Sequence, residues 1–217
     1  MYVEADGHAI LFDTGPDPFT LKSNARVLGV DLSRVEAVVL SHEHGDHVGG
    51  IEAVAEVKHG IPVYIPSGSD PRLFERVKSL GLVPIAVNAS GTNVIPGVVI
   101  VGPLMGPPPE QGLALVTPRG VVLLVGCSHP GVVNLVREAE RVTGRRVVAV
   151  IGGFHLFAAP EGAVRKVVDE LISEGVEKIY PIHCSGDLIR SILASEHPEV
   201  YGDGCAGKVI VFNASTT

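Results

Sequence analysis

Four times along this chain an apolar run of strand length ends in a turn that carries histidine, and residues with helical spacing follow. The runs are 35–40, 121–125, 146–151 and 177–182, and the histidines are His42, His129, His155 and His183. Strands alternating with helices predict an α/β fold. In such folds ligands sit outside the carboxyl ends of the strands, where all four histidines fall. One histidine of this kind is ordinarily a structural residue with its hydrogen bonds satisfied; four at the same station point to a site, and we expect them to converge in one cleft. With 217 residues, 46% hydrophobic and 19% charged, the chain is ample for a single domain over 1–217.

The first of these turns is the densest. Ser41-His42-Glu43-His44-Gly45-Asp46-His47 packs three imidazoles and an aspartate into positions 42–47, directly after the strand. In extended chain His42 and His44 point to the same side and can reach one ion. Once the chain turns at Gly45, Asp46 and His47 can face a second. Imidazole and carboxylate suit zinc, iron or manganese rather than calcium, and no thiolate is required. The bland alternative, a polar loop that happens to be rich in histidine, does not account for this spacing.

Around these turns the sequence predicts a hairpin at Asp6-Gly7, a helix from Pro18 to Leu28 closed by Gly29, and a helix from Val48 to Lys58. A strand follows at 61–65, and Asp70-Pro71 opens a helix to Leu80. Short strands are predicted over 82–101, then an irregular Gly/Pro-rich loop over 102–112, serving either as a cover for the site or as a plain connector. A hairpin turns at Pro118-Arg119-Gly120, and a strand is predicted at 208–212. Asp13, at a strand end before Thr14-Gly15-Pro16, either opens a turn or orients a histidine. In Gly126-Cys127-Ser128-His129, Cys127 and His129 are candidate ligands, Cys127 being otherwise a buried thiol. The helix start beyond them could receive an anion, so Ser128 is a candidate for substrate contact. In Gly152-Gly153-Phe154-His155-Leu156 the glycines let the backbone approach a ligand closely, so Gly153 is assigned to substrate binding and His155 to substrate rather than metal.

A formal charge of -7 disfavours a surface that neutralises nucleic-acid phosphates and fits a small, anionic substrate held by metal better. Three cysteines without a CxxC pair argue against a disulfide framework and for a reducing, cytoplasmic compartment. No apolar stretch approaches eighteen residues, so no membrane partner is expected. The sequence leaves the oligomeric state open.

The motif His42, His44, Asp46, His47 resembles the signature of the metallo-β-lactamase superfamily, and Asp13-Thr14-Gly15 and His183 match by position. Within it, GCSHPG, GGFHL and PIHCSG look like the branch of dihydropterin-methyl transferases of methanopterin-type cofactor biosynthesis. The resemblance implies a four-layer αββα sandwich, with the first edge strand either absent or encoded upstream. It implies two divalent ions, zinc foremost with iron, manganese or magnesium as alternatives, held by His42, His44, Asp46, His47, His129 and His183. Asp46 and His155 would be catalytic, as proton acceptor and as proton donor to a leaving group. The pattern departs from the family in having no histidine between His59 and His129, so His129 supplies the missing imidazole, and Gly126-Cys127 stands where a bridging aspartate is usual. A phosphodiesterase-like hydrolase and a non-catalytic metal-binding protein are the alternatives.

Overall fold

Asp6 and Gly7 both take positive φ, 50° and 86°, the backbone a two-residue hairpin turn requires. Strands β1 (Tyr2–Ala5) and β2 (His8–Phe12) pair antiparallel across them. The computed structural model describes residues 1–212, and the chain divides into two compact units, the first being Met1–Asn88 and the second beginning at Ala89. Each unit has its own sheet and its own apolar core, which gives the α/β class that the alternating pattern predicts and the two sheets that the resemblance implies.

In the first unit β3 (Val35–Val39), β4 (Pro62–Pro66) and β5 (Val83–Val87) extend the sheet in sequential order, all parallel to β2. Helix α1 (Pro18–Leu28) starts where Asp17 accepts the Thr20 N–H at 2.8 Å and stops at Gly29, whose φ of 68° is the left-handed cap. The predicted helix from Val48 to Lys58 instead forms two short pieces, α2 (Gly45–Val48) and α3 (Ile51–Ala55). The break falls at Gly49 and Gly50, where a Cβ would lie 1.9 Å from the Pro16 carbonyl oxygen and 2.2 Å from that of Thr14. The helical region thus begins inside the histidine motif and is pressed against the turn that follows β2. Helix α4 (Pro71–Ser79) is capped by Asp70, which accepts the Arg72 N–H at 2.9 Å.

The second unit is a six-stranded sheet in the order β11-β10-β9-β8-β7-β6. Its antiparallel part is β6 (Thr92–Ile95), β7 (Val98–Leu104), β8 (Glu110–Thr117) and β9 (Gly120–Val125). The loop predicted over 102–112 is in good part strand: β7 runs on to Leu104 and β8 begins at Glu110, with a register shift between Val101 and Leu104 accommodating Pro103. Only 105–109 is left as connection, and Gly106 there lies against His129 and Pro130, where a Cβ would come within 2.9 Å of backbone.

Strands β10 (Val147–Gly152) and β11 (Lys178–Pro181) add parallel to β9. Helices α5 (Val132–Thr143), α6 (Glu161–Ser173) and α7 (Asp187–Glu196) supply the connections and the end of the chain's helical part. On α5, Val132, Leu135, Val136 and Ala139 recur at helical spacing and are buried in the unit's core, each larger side chain contributing roughly 1.5–3 kcal/mol by its burial. The strand expected at 208–212 does not form. The outer edge of β11 is taken instead by residues 200–202, where Ile179 donates to Val200 and Gly202 donates to Ile179. Among the described residues no helix is long and apolar enough to cross a membrane.

Candidate metal site

In the first unit the parallel neighbours β2 and β3 end side by side, and the Asp13 N–H donates to the Val39 carbonyl at 2.9 Å. Asp13 Oδ1 accepts the Ser41 N–H at 2.7 Å, and Oδ2 accepts the Ser41 hydroxyl at 2.8 Å and lies 2.7 Å from His47 Nδ1. A carboxylate can only accept, so this contact places the His47 proton on Nδ1 and makes Nε2 the ligand-type nitrogen. Nε2 is 3.6 Å from Asp46 Oδ2. Thr14 fixes the other end of the residue, its N–H and hydroxyl donating to the His47 carbonyl at 2.7 and 2.9 Å.

The Ser41 hydroxyl gives its proton to Asp13, so it receives one from His42 Nδ1, 2.9 Å away. That makes Nε2 the ligand-type nitrogen of His42 as well, and it sits 3.0 Å from His44 Nδ1. His42 and His47 are buried, with ring centroids 4.1 Å apart, while His44 and Asp46 are exposed. His42, His44, Asp46 and His47 thus lie together at this strand end, with Asp13 hydrogen-bonded to Ser41 and to His47. Imidazole nitrogens and a carboxylate gathered in this way fit a late first-row divalent ion.

In the second unit three parallel neighbours, β9, β10 and β11, deliver the other histidine-bearing turns to one end of the sheet. Glu110, wholly buried, organises the first of these. Its Oε1 accepts the N–H groups of Cys127 and Ser128, and its Oε2 accepts that of His129, each at 2.8 Å. The Ser128 hydroxyl, assigned from sequence to substrate, is buried and donates to the Gly153 carbonyl at 2.7 Å. Gly153, similarly assigned, is crowded by the protein itself: a Cβ there would lie 2.5 Å from the Gly126 oxygen and 2.7 Å from Cys184 Sγ. Ser185 ties in the third turn, accepting the Phe154 N–H at 3.0 Å and donating to Gly152 at 3.2 Å.

The ligand atoms of Cys127, His129 and His155 lie within 4.8 Å of one another, and so do those of Cys127, His183 and Cys184. The rings of His129 and His155 are 4.6 Å apart, and His155 meets Phe157 edge-on at 5.7 Å. The Cys184 thiol is pulled down to about 5, first by a hydrogen bond from the Cys127 thiol, with His155 and the charge of His183 adding to it against the opposing effect of burial. Four of the candidate residues, Asp13, Ser128, His155 and His183, hold φ between 52° and 60°, a region sparsely occupied by residues with side chains. Such outliers gather where structure serves a site. The sequence reading gave no role to Glu110 or Cys184. A lone glutamate after three prolines carries no signal of burial, whereas Cys184, beside a strand-end histidine, could have been flagged by position.

Two sheets with helices, and parallel strands whose carboxyl ends carry histidine, cysteine and aspartate, define an α/β protein with candidate metal-ligand groups at its strand ends. The chain belongs to the Metallo-beta-lactamase superfamily, whose family model matches residues 1–183. It is 28% identical to the 7,8-dihydropterin-6-methyl-4-(beta-D-ribofuranosyl)-aminobenzene-5'-phosphate synthase of Methanocaldococcus jannaschii, across 97% of this chain and 87% of that one. Among solved structures, a metal-dependent hydrolase of the beta-lactamase superfamily superposes with a TM-score of 0.79 at 25% identity, covering 97% of this chain and 94% of the other. The short form of human tRNase Z shares the fold, with a TM-score of 0.61 at 15% identity and 84% of each chain covered.

Proposed function

We propose that this protein is a dinuclear-metal-dependent enzyme acting on a phosphate- or diphosphate-bearing small molecule, most specifically a dihydropterin-methyl transferase of methanopterin-type cofactor biosynthesis. The observation that carries the reading is the similarity to the synthase along nearly the whole of both chains. In this reading His42, His44, Asp46, His47, His129 and His183 are the metal ligands. Bound divalent ions would polarise a phosphoryl oxygen and lower the pKa of a coordinated water to about 7.

The chain's own groups set the rest. Asp46, exposed along half of its side chain, accepts a proton from the attacking nucleophile. His155, exposed on its turn, donates one to the departing phosphate oxygen, help worth about 10²- to 10⁴-fold. Phe157, 66% exposed and edge-on to that imidazole, offers an aromatic face suited to a planar ring such as a pterin.

A second reading is hydrolysis, with a phosphodiester as the substrate to try; the likeness to the metal-dependent hydrolase favours hydrolysis as such. One assay separates the two. Metal-loaded protein is given a dihydropterin-methyl diphosphate with 4-(β-D-ribofuranosyl)aminobenzene 5'-phosphate, and separately a generic phosphodiester. Condensed product together with released diphosphate supports the transferase. Turnover of the diester alone supports the hydrolase, and no turnover of either by protein of verified metal content rejects both.

A further inference from the structure

We infer that Cys127, His183 and Cys184 form a thiolate-rich metal position at the end of β9 and β11, with Cys184 as a metal ligand. The inference rests on the metal-dependent reading above and deepens it, because it specifies which ion that position takes. Two sulfurs and one imidazole nitrogen lie within 4.8 Å of one another. Donors around a tetrahedral zinc, at about 2.3 Å for sulfur and 2.0–2.1 Å for nitrogen, are separated by roughly 3.5–3.8 Å. The observed cluster thus needs only a small contraction to close on an ion.

The surroundings are built for it. Gly153 leaves open the space beside Cys184 Sγ that any side chain would fill, since a Cβ there would lie 2.7 Å from the sulfur and 3.2 Å from His183 Cδ2. Cys184 Sγ also lies 3.8 Å from the Cys127 carbonyl oxygen, so the two turns are in register. Ser185 locks the 183–185 turn to Gly152 and Phe154 by two hydrogen bonds. Cys127 in addition belongs to the cluster with His129 and His155, so its sulfur is placed to serve two neighbouring positions. Thiolates select zinc, cobalt or iron over magnesium or calcium. Each thiol releases its proton to solvent as it binds, and no oxidant or reductant is involved.

The test uses the full chain in a phosphine reductant, loaded with cobalt(II) as the probe. Thiolate-to-cobalt charge transfer gives a near-ultraviolet band that nitrogen and oxygen ligands do not. The band is expected in the wild type, weaker in Cys127→Ser and in Cys184→Ser, absent in the double variant, and unchanged in Cys205→Ser, whose cysteine is exposed. A Cys184→Ser band equal to wild type overturns the inference. Cobalt bound by elemental analysis without any band overturns it while leaving the metal-dependent reading intact; no bound cobalt overturns both. Should the variants misfold, alkylation of the wild type decides. Cys184 should be protected by zinc and modified after chelation, with Cys205 modified equally in both, and equal modification of Cys184 in both states rejects its role as ligand.

Discussion

Asp13 Oδ2 lies 2.7 Å from His47 Nδ1, and the same carboxylate binds Ser41 through both backbone and side chain. One acidic group thereby sets the tautomer of two imidazoles, His47 directly and His42 by way of the Ser41 hydroxyl. Replacing it with alanine releases both rings. Asp13→Ala is expected to lower metal affinity about 10- to 100-fold in a protein that still folds, measured by competition with a chromophoric chelator. Affinity equal to wild type would remove Asp13 from the site.

Glu110 is the counterpart in the second unit. Glu110→Gln keeps one oxygen for two of the three amides and turns an NH₂ towards the third, a donor facing a donor. The loss is expected to be about 1.5–3 kcal/mol, read as a lower denaturation midpoint with unchanged slope. Metal content should fall as well, since the carboxylate positions His129. Glu110→Asp, which keeps the charge but is one methylene shorter, should recover part of both.

His155→Ala is expected to lower turnover by about 10²- to 10⁴-fold with metal stoichiometry and melting temperature near wild type. A ligand role, which its place beside Cys127 and His129 would also allow, predicts metal lost first. A structural role predicts a lower melting temperature with normal specific activity of the folded fraction.

Away from the site, Arg141, and then Ser90, hold the Glu138 carboxyl below its ordinary 4.5. A depressed carboxylate contributes stability above its ordinary pKa and loses it as pH falls through the folded-state value. Arg141 is mostly exposed, so Glu138→Gln should cost only about 0.5–1 kcal/mol at neutral pH. The difference from wild type should vanish in acid, as checked by urea denaturation across the acidic range. A difference that grows on acidification would refute the assignment.

What the sequence made legible was local. Asp70 before proline opens a helix, Gly29 closes another in the left-handed region, and a histidine after each of four apolar runs marks a strand end. What it hid depends on residues far apart along the chain. The helix breaks at Gly49-Gly50 because of carbonyls of Thr14 and Pro16. Glu110 is a clamp because β8 and β9 pair in a register that brings it to amides 17 to 19 positions away. Residues 209–212 are a continuous apolar run like that of a buried strand, yet the outer edge of β11 is already bonded to residues 200–202.

The positive φ values at Asp13, Ser128, His155 and His183 set stability against chemistry at the same four codons. Glycine would relieve of order 1–3 kcal/mol of backbone strain at each while deleting a carboxylate, a hydroxyl or an imidazole. A library selected only for thermal tolerance should therefore enrich glycine at these positions and lose metal or turnover as it gains melting temperature. One selected for activity should keep the strained residues and acquire its stabilising changes elsewhere, in the cores of the two sheets.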